Sequence, residues 1–154
     1  EIDTSSGNVS LIVDGTFDIN GYNITVTGDA EHGVNYYIRD SLHATGSSVV
    51  GTGRDDFEAD RNVFYIGDGL FDSSTGTGSI EFDAVLYAPD STLDMAGAGS
   101  FTGSIAVNDV EKINGAININ YDPDLADTAI DLTGAADLLK YLHVSHNEVR
   151  VELN

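Results

Sequence analysis

The stretch NVFYIGDGLFDSSTGTGSIEF, Asn62–Phe82, decides the fold: an apolar run enters an Asp at a turn, a second apolar run follows, and glycines lead into a third. Four other segments keep the same order. They are NVSLIVDGTFDINGYNITV from Asn8, VNYYIRDSLHATGSSVV from Val34, AVLYAPDSTLDMAGAGSF from Ala84 and SIAVNDVEKINGAININY from Ser104. The turn residues Asp14, Asp40, Asp68, Asp90 and Asp109 are spaced by 26, 28, 22 and 19 residues. Helical repeats need about 33–47 residues, so this period suits one coil of a β-solenoid, whose units bury their apolar faces by stacking on one another.

Anchoring on the Asp residues sorts the positions before them. Two places upstream stand Ile12, Ile38, Ile66, Ala88 and Val107; four places upstream stand Ser10, Tyr36, Phe64, Leu86 and Ile105. Positions two apart share one face of a strand, so these columns are expected to stack into a continuous core. Phe17 and Ile19, Leu42 and Ala44, Leu93 and Met95, and Ile113 form a second strand. Ile24 and Val26, Val49, Ile80 and Phe82, Phe101, and Ile117 and Ile119 form a third. Three short strands per coil, each closed by Gly, Asp or Asn, predict an all-β chain: a parallel β-helix of about five coils over residues 8–122. Glycines such as Gly76, Gly78, Gly97 and Gly99 are expected at the coil corners.

The column three places before each Asp reads Leu11, Tyr37, Tyr65, Tyr87, Ala106. With its neighbours inward, it points outward, and Tyr37, Tyr65 and Tyr87 make a ladder there. Such a ladder is either cross-strand packing or a stripe for a glycan or protein partner. Residues 123–154 are expected to cap the solenoid within a single domain. TGAADLLKYLHV from Thr133 has helix-forming composition, and Val149, Val151 and Leu153 alternate with charged residues as a final strand should. The helix is expected to lie over the tyrosines.

Twenty-six acidic residues stand against six basic ones among 154, a net charge of −20. Such a surface repels nucleic acid and anionic lipid headgroups. The hydrophobic residues, 41% of the chain, are patterned, which excludes a disordered acidic tail. The composition fits a halophilic surface, kept hydrated where molar salt shortens the Debye length to about 3 Å. No cysteine is present, and no stretch of about 18 apolar residues suggests a membrane span. Because the chain opens at Glu1 rather than Met, a preceding N-terminal region is expected to have been removed. The sequons Asn8-Val9-Ser10 and Asn23-Ile24-Thr25 make Asn8 and Asn23 glycosylation candidates in an exported protein.

Catalytic signatures are sparse. No window meets the EF-hand pattern. The densest acidic group, Asp55, Asp56, Glu58 and Asp60 in the charged insert Thr52–Arg61, is at most a weak cation site. His143 and His146 fall on opposite faces if their segment is a strand, and His32 and His43 belong to different coils, so metal coordination is not expected. No nucleophile elbow or phosphate-binding glycine loop is found. Polysaccharide lyases and glycosidases also use parallel β-helices, but Arg39, Arg54, Arg61 and Arg150 are scattered, and abundant carboxylates single out no pair. The expectation is a non-enzyme without a cofactor.

The segment Ile80–Leu125 runs through an apolar strand, Tyr-Ala-Pro, a Gly-x-Gly corner, Gly-Ser-Ile-x-Val, then Gly, a strand and Tyr-Asp-x-x-Leu. In this it resembles the C-terminal β-helical domain of PilX-like pilus-assembly proteins and related bacterial and archaeal surface proteins. The ending YLHVSHNEVRVELN is similar to haloarchaeal members. The resemblance implies an extracellular or cell-surface module, a structural or adhesion part of a pilin-like or envelope assembly. Its partners would be other surface or pilus subunits, and its membrane anchor would lie in an N-terminal segment absent here. A carbohydrate-binding or carbohydrate-cleaving β-helix is the alternative, with a glycan as partner.

Overall fold

A computed structural model describes residues 1–52, 59–67, 69–72 and 79–127. It is all-β, built of parallel strands in a solenoid-like winding. In chain order the strands are β1 (Ile2–Asp3), β2 (Val9–Val13), β3 (Phe17–Asp18), β4 (Asn23–Thr27), β5 (Val34–Ile38) and β6 (Leu42–His43). They continue as β7 (Ser48–Thr52), β8 (Asn62–Ile66), β9 (Leu70–Asp72) and β10 (Ser79–Tyr121). Short 3-10 helices cover Ala59–Arg61 and Pro123–Asp127. No helix among the described residues is long and apolar enough to cross a membrane.

The pairings between these strands are parallel, and each strand pairs with the one three elements along. One stack is β2-β5-β8-β10, a second β3-β6-β9-β10, a third β1-β4-β7-β10. Parallel partners need a long return connection, and here the other two strands of each turn provide it. Strand β10 contributes to all three stacks, so its 43 residues cannot run straight. It winds back over its own start, with Gly99 against Ile80, Gly103 against Ala84 and Gly115 against Gly97. At Gly99 (φ +145°) and Gly115 (φ +119°) a methyl group would stand 1.9 Å from the carbonyl oxygen beneath it, so only glycine fits.

Alternation turns one set of side chains inward. Tyr36, Phe64 and Leu86 stack in one column, Ile38 above Ile66 in another, and Leu42, Phe71 and Leu93 in the second stack. All are at most 2% exposed. Tyr36 and Phe64 lie face to face, centroids 4.2 Å apart, and Phe82 stacks on Phe101 at 6.2 Å. Ile105, Val107 and Ile117 pack against this core from the last described turn, half-buried.

The first turn departs from the Asp-anchored alignment by one residue. Val13, not Ile12, pairs with Ile38, and Leu11 pairs with Tyr36. Ile12 therefore sits opposite Tyr37 on the outer face, 61% exposed, while Leu11 moves inward. A one-residue slip exchanges the two faces of a strand. The observed register turns Val9, Leu11 and Val13 toward the core, whereas the Asp alignment would have buried Ser10 and Ile12. In β7 the same correction applies: Val50 is fully buried, pairing with Ile24 and Phe82, and Val49 is not. Ile113 and Ile119, expected in the second and third strands of the last turn, are 49% and 48% exposed.

Candidate functional site: the outer tyrosine column

Outward alternation and the register Tyr37–Tyr65–Tyr87 bring the three predicted tyrosines together on the outside of the first stack. Tyr37 and Tyr65 are parallel, centroids 4.9 Å apart; Tyr87 meets Tyr65 edge-on at 6.2 Å. Beside them runs a second outer column, Asn35, Val63 and Val85. Val63, Tyr65 and Val85 form a separate apolar cluster, 8%, 4% and 2% exposed, with Tyr37, Tyr87 and Leu125 packed around it. An outer solenoid face is normally wet, so this one carries a cover.

Leu125, in the 3-10 helix Pro123–Asp127, contributes to it. The Leu125 amide donates to the Asp122 carbonyl at 3.2 Å, closing the turn that carries the chain off the last strand and onto the tyrosine face. The Asp122 carboxylate accepts from the Ala59 amide at 3.4 Å, joining the insert before β8 to the end of the strand stack. The helix expected from Thr133, the final strand, and His143 and His146 lie outside the described residues. Val63, Val85 and Leu125 were not singled out from sequence. The signal was present: β8 is buried along its whole length, and runs such as VFYI and AVLY lack the polar alternation of a one-sided strand.

Around this face the ionisable groups are held by neighbours. Arg39 bonds Asp40 at 2.9 Å and pairs with Asp14 on the exposed edge. Arg61 stands 3.3 Å from Asp60 and donates to the Glu31 carbonyl at 2.8 Å. Burial raises the Asp83 carboxyl above its usual range, opposed by a hydrogen bond with Thr102 and reinforced by the charges of Glu81 and Asp122. Of the insert's acidic group only Asp60 is described; Asp55, Asp56 and Glu58 lie outside, as do Arg54 and Arg150. Among the described residues no three His, Asp or Glu side chains are placed to hold a metal ion. His32 Nδ1 lies 3.1 Å from the Thr4 carbonyl, and His43 belongs to β6.

The two sequon asparagines are exposed but differ in use. Asn8 Oδ1 accepts the Gly33 amide at 2.8 Å, tying successive turns together, whereas Asn23 opens β4. In the interior, the Tyr36 hydroxyl is buried without a hydrogen-bond partner among the described residues, and burial pushes its ionisation well above the ordinary phenol range.

Residues 1–128 match the model of a domain of unknown function, DUF7305, from the first strand through the 3-10 helix that carries Leu125. The chain belongs to the DUF7305 family. No curated protein and no solved structure matches it. The DUF7305 match thus includes the covered tyrosine column and brings no assigned chemistry.

Proposed function

We propose that this chain is a non-catalytic, exported cell-surface module, a structural or adhesive part of a pilin-like or envelope assembly, adapted to high salt. In this reading the stack comprises five coils closed by residues 123–154, and its partners are other surface or pilus subunits. The observation that carries it is the packing of the tyrosine column, with Tyr65 buried and Tyr37 and Tyr87 partly so. A sugar-binding face needs open aromatic rings, and here the central ring is 4% exposed, clasped between neighbouring tyrosines and packed with valines and Leu125. The chain is also acidic and lysine-poor around an apolar interior, the properties expected of a spacer or display element in brine.

The test sets this reading against the carbohydrate alternative. Affinity electrophoresis through immobilised acidic and neutral polysaccharides, in molar NaCl, should show no retardation, and Tyr37→Ala and Tyr87→Ala should change nothing. Retardation that both substitutions abolish would establish the glycan reading instead.

A further inference from the structure

The two sequons are used differently by the fold. Asn8-Val9-Ser10 enters β2 and Asn23-Ile24-Thr25 opens β4, and in each the Asn and the hydroxyl residue alternate onto the outer side. At the first, the carboxamide is already engaged. Asn8 Oδ1 accepts the Gly33 amide at 2.8 Å, and the Val9 amide donates back to the Gly33 carbonyl at 3.0 Å. These two bonds clasp the first turn to the second. Gly33 is itself pressed against the third turn, where a methyl group on it would stand 2.2 Å from the Arg61 carbonyl oxygen. At the second sequon, the Asn23 side chain is exposed and its carboxamide holds no hydrogen bond among the described residues. The turn before it sets its position. The Tyr22 amide donates to the Ile19 carbonyl at 3.2 Å, Gly21 takes φ +70°, and the Gly21 amide is anchored on the Thr45 carbonyl at 2.8 Å. Tyr22, 74% exposed, therefore stands outward immediately before Asn23. Residues 19–28, INGYNITVTG, carry no charge, so no carboxylate of this stretch hydrates the patch.

We propose that Asn23 is an N-glycosylation site, and that Asn8, despite its sequon, is a structural residue which the folded chain withholds. The donor is an oligosaccharide carried on a lipid phosphate or pyrophosphate at the outer side of the cell membrane, so the assignment rests on the exported reading. In the transfer Asn23 Nδ2 attacks the anomeric carbon of the sugar. The nitrogen–carbon bond forms, the bond from that carbon to the phosphate oxygen breaks with its electron pair, and Nδ2 gives up one proton. The lipid phosphate leaves. A carboxamide nitrogen is a poor nucleophile while its lone pair is conjugated with the carbonyl, so the group must be free to twist. Asn23 has that freedom, whereas Asn8 would have to open its clasp on Gly33. Thr25 supplies the hydroxyl that the acceptor motif requires, on the same side of β4 as Asn23. The linked sugar would lie beside Tyr22, whose ring offers an apolar face to sugar C–H groups, and its hydroxyls would hydrate the uncharged stretch.

The folded whole chain, incubated with a membrane oligosaccharyltransferase and its lipid-linked oligosaccharide, tests the assignment without export. Intact mass should rise by one oligosaccharide, and peptide mapping should place it on Asn23. Asn23→Gln and Thr25→Ala should each abolish the increment. Ser10→Ala, which removes the first sequon and leaves the Asn8 clasp in place, should not change it. Asn23→Gln should melt with the parent, because the carboxamide it replaces holds nothing, so its loss of transfer is not a loss of fold. Synthetic peptides spanning residues 4–14 and 19–29 should both accept the oligosaccharide, which assigns the distinction to the fold. Transfer to Asn8 in the folded chain would overturn the proposal. So would no transfer to Asn23 in the folded chain while its peptide is modified. A chain modified on Asn23 in vitro, yet recovered unmodified from inside the cells that make it, would strike the exported reading and the assignment with it.

Discussion

Ile66 and Ile12 each stand two residues before a turn Asp, and the strand register gives them opposite roles. Ile66 is fully buried between Ile38 and the β10 strand, so Ile66→Ala should destabilise the chain by about 2–5 kcal/mol through lost transfer energy and a residual cavity. Ile12→Ala, at an outer position 61% exposed, should stay within about 0.5 kcal/mol. Urea titration of both variants checks the register directly, because the Asp-anchored alignment predicts equal losses. Tyr36 offers a second test. Its buried hydroxyl lacks a partner among the described residues, and the folded state holds its proton more tightly than the unfolded chain. A raised ionisation means stability that is complete below the unfolded phenol value of about 10 and declines as pH climbs beyond it. Tyr36→Phe should therefore leave neutral stability unchanged or improved by about 1 kcal/mol, and flatten the alkaline decline seen in melts above pH ~10.

At the scale of elements, the three-strand turn was legible because its period is short and its inward positions are almost all apolar. The column Tyr36–Phe64–Leu86 follows from alternation alone, as do Leu42 and Leu93, whereas Phe71, which stands between those two, is not among the residues the repeat assigns to the second strand. The first turn departs from the Asp-anchored alignment because its Asp is not a fixed register mark. An Asp at a turn tolerates a one-residue shift, whereas the sum of buried side chains does not, and Val9, Leu11 and Val13 outweigh Ser10 and Ile12. The second apolar cluster was half legible: the tyrosines were found, but what covers them depends on Leu125, distant in sequence and recognisable only in three dimensions. Leu125→Ala tests the importance of that lid. It should cost about 1–3 kcal/mol in urea melts, with faster hydrogen exchange in β8 and the facing part of β10. Unchanged exchange would assign the cover to other residues.

For the whole molecule, the net charge of −20 bears on stability alongside packing. Twenty surplus negative charges on a body of 16.3 kDa repel one another strongly in dilute buffer, and the interior columns must hold against that force. The melting temperature should rise steadily from dilute buffer to molar NaCl or KCl, with most of the gain at the low-salt end, where the Debye length shrinks from about 30 to 10 Å. A flat or falling profile in a scanning calorimeter would remove the halophilic interpretation.

The one-way winding of the strands also determines how the molecule would respond to tension. Every strand lies across the stacking direction, and its partners belong to the turns before and after. A pull along the stack therefore loads the ladder of one turn at a time, in the manner of a zipper, and not all ladders together in shear. A tether held at both ends should yield at low force in successive steps. Each step would release the 19 to 28 residues of one repeat, roughly 60–95 Å of contour. Such a rod lengthens gradually under drag and can rewind turn by turn when the load falls. An optical-tweezer trace would record that compliance as a sawtooth of small, unequal teeth.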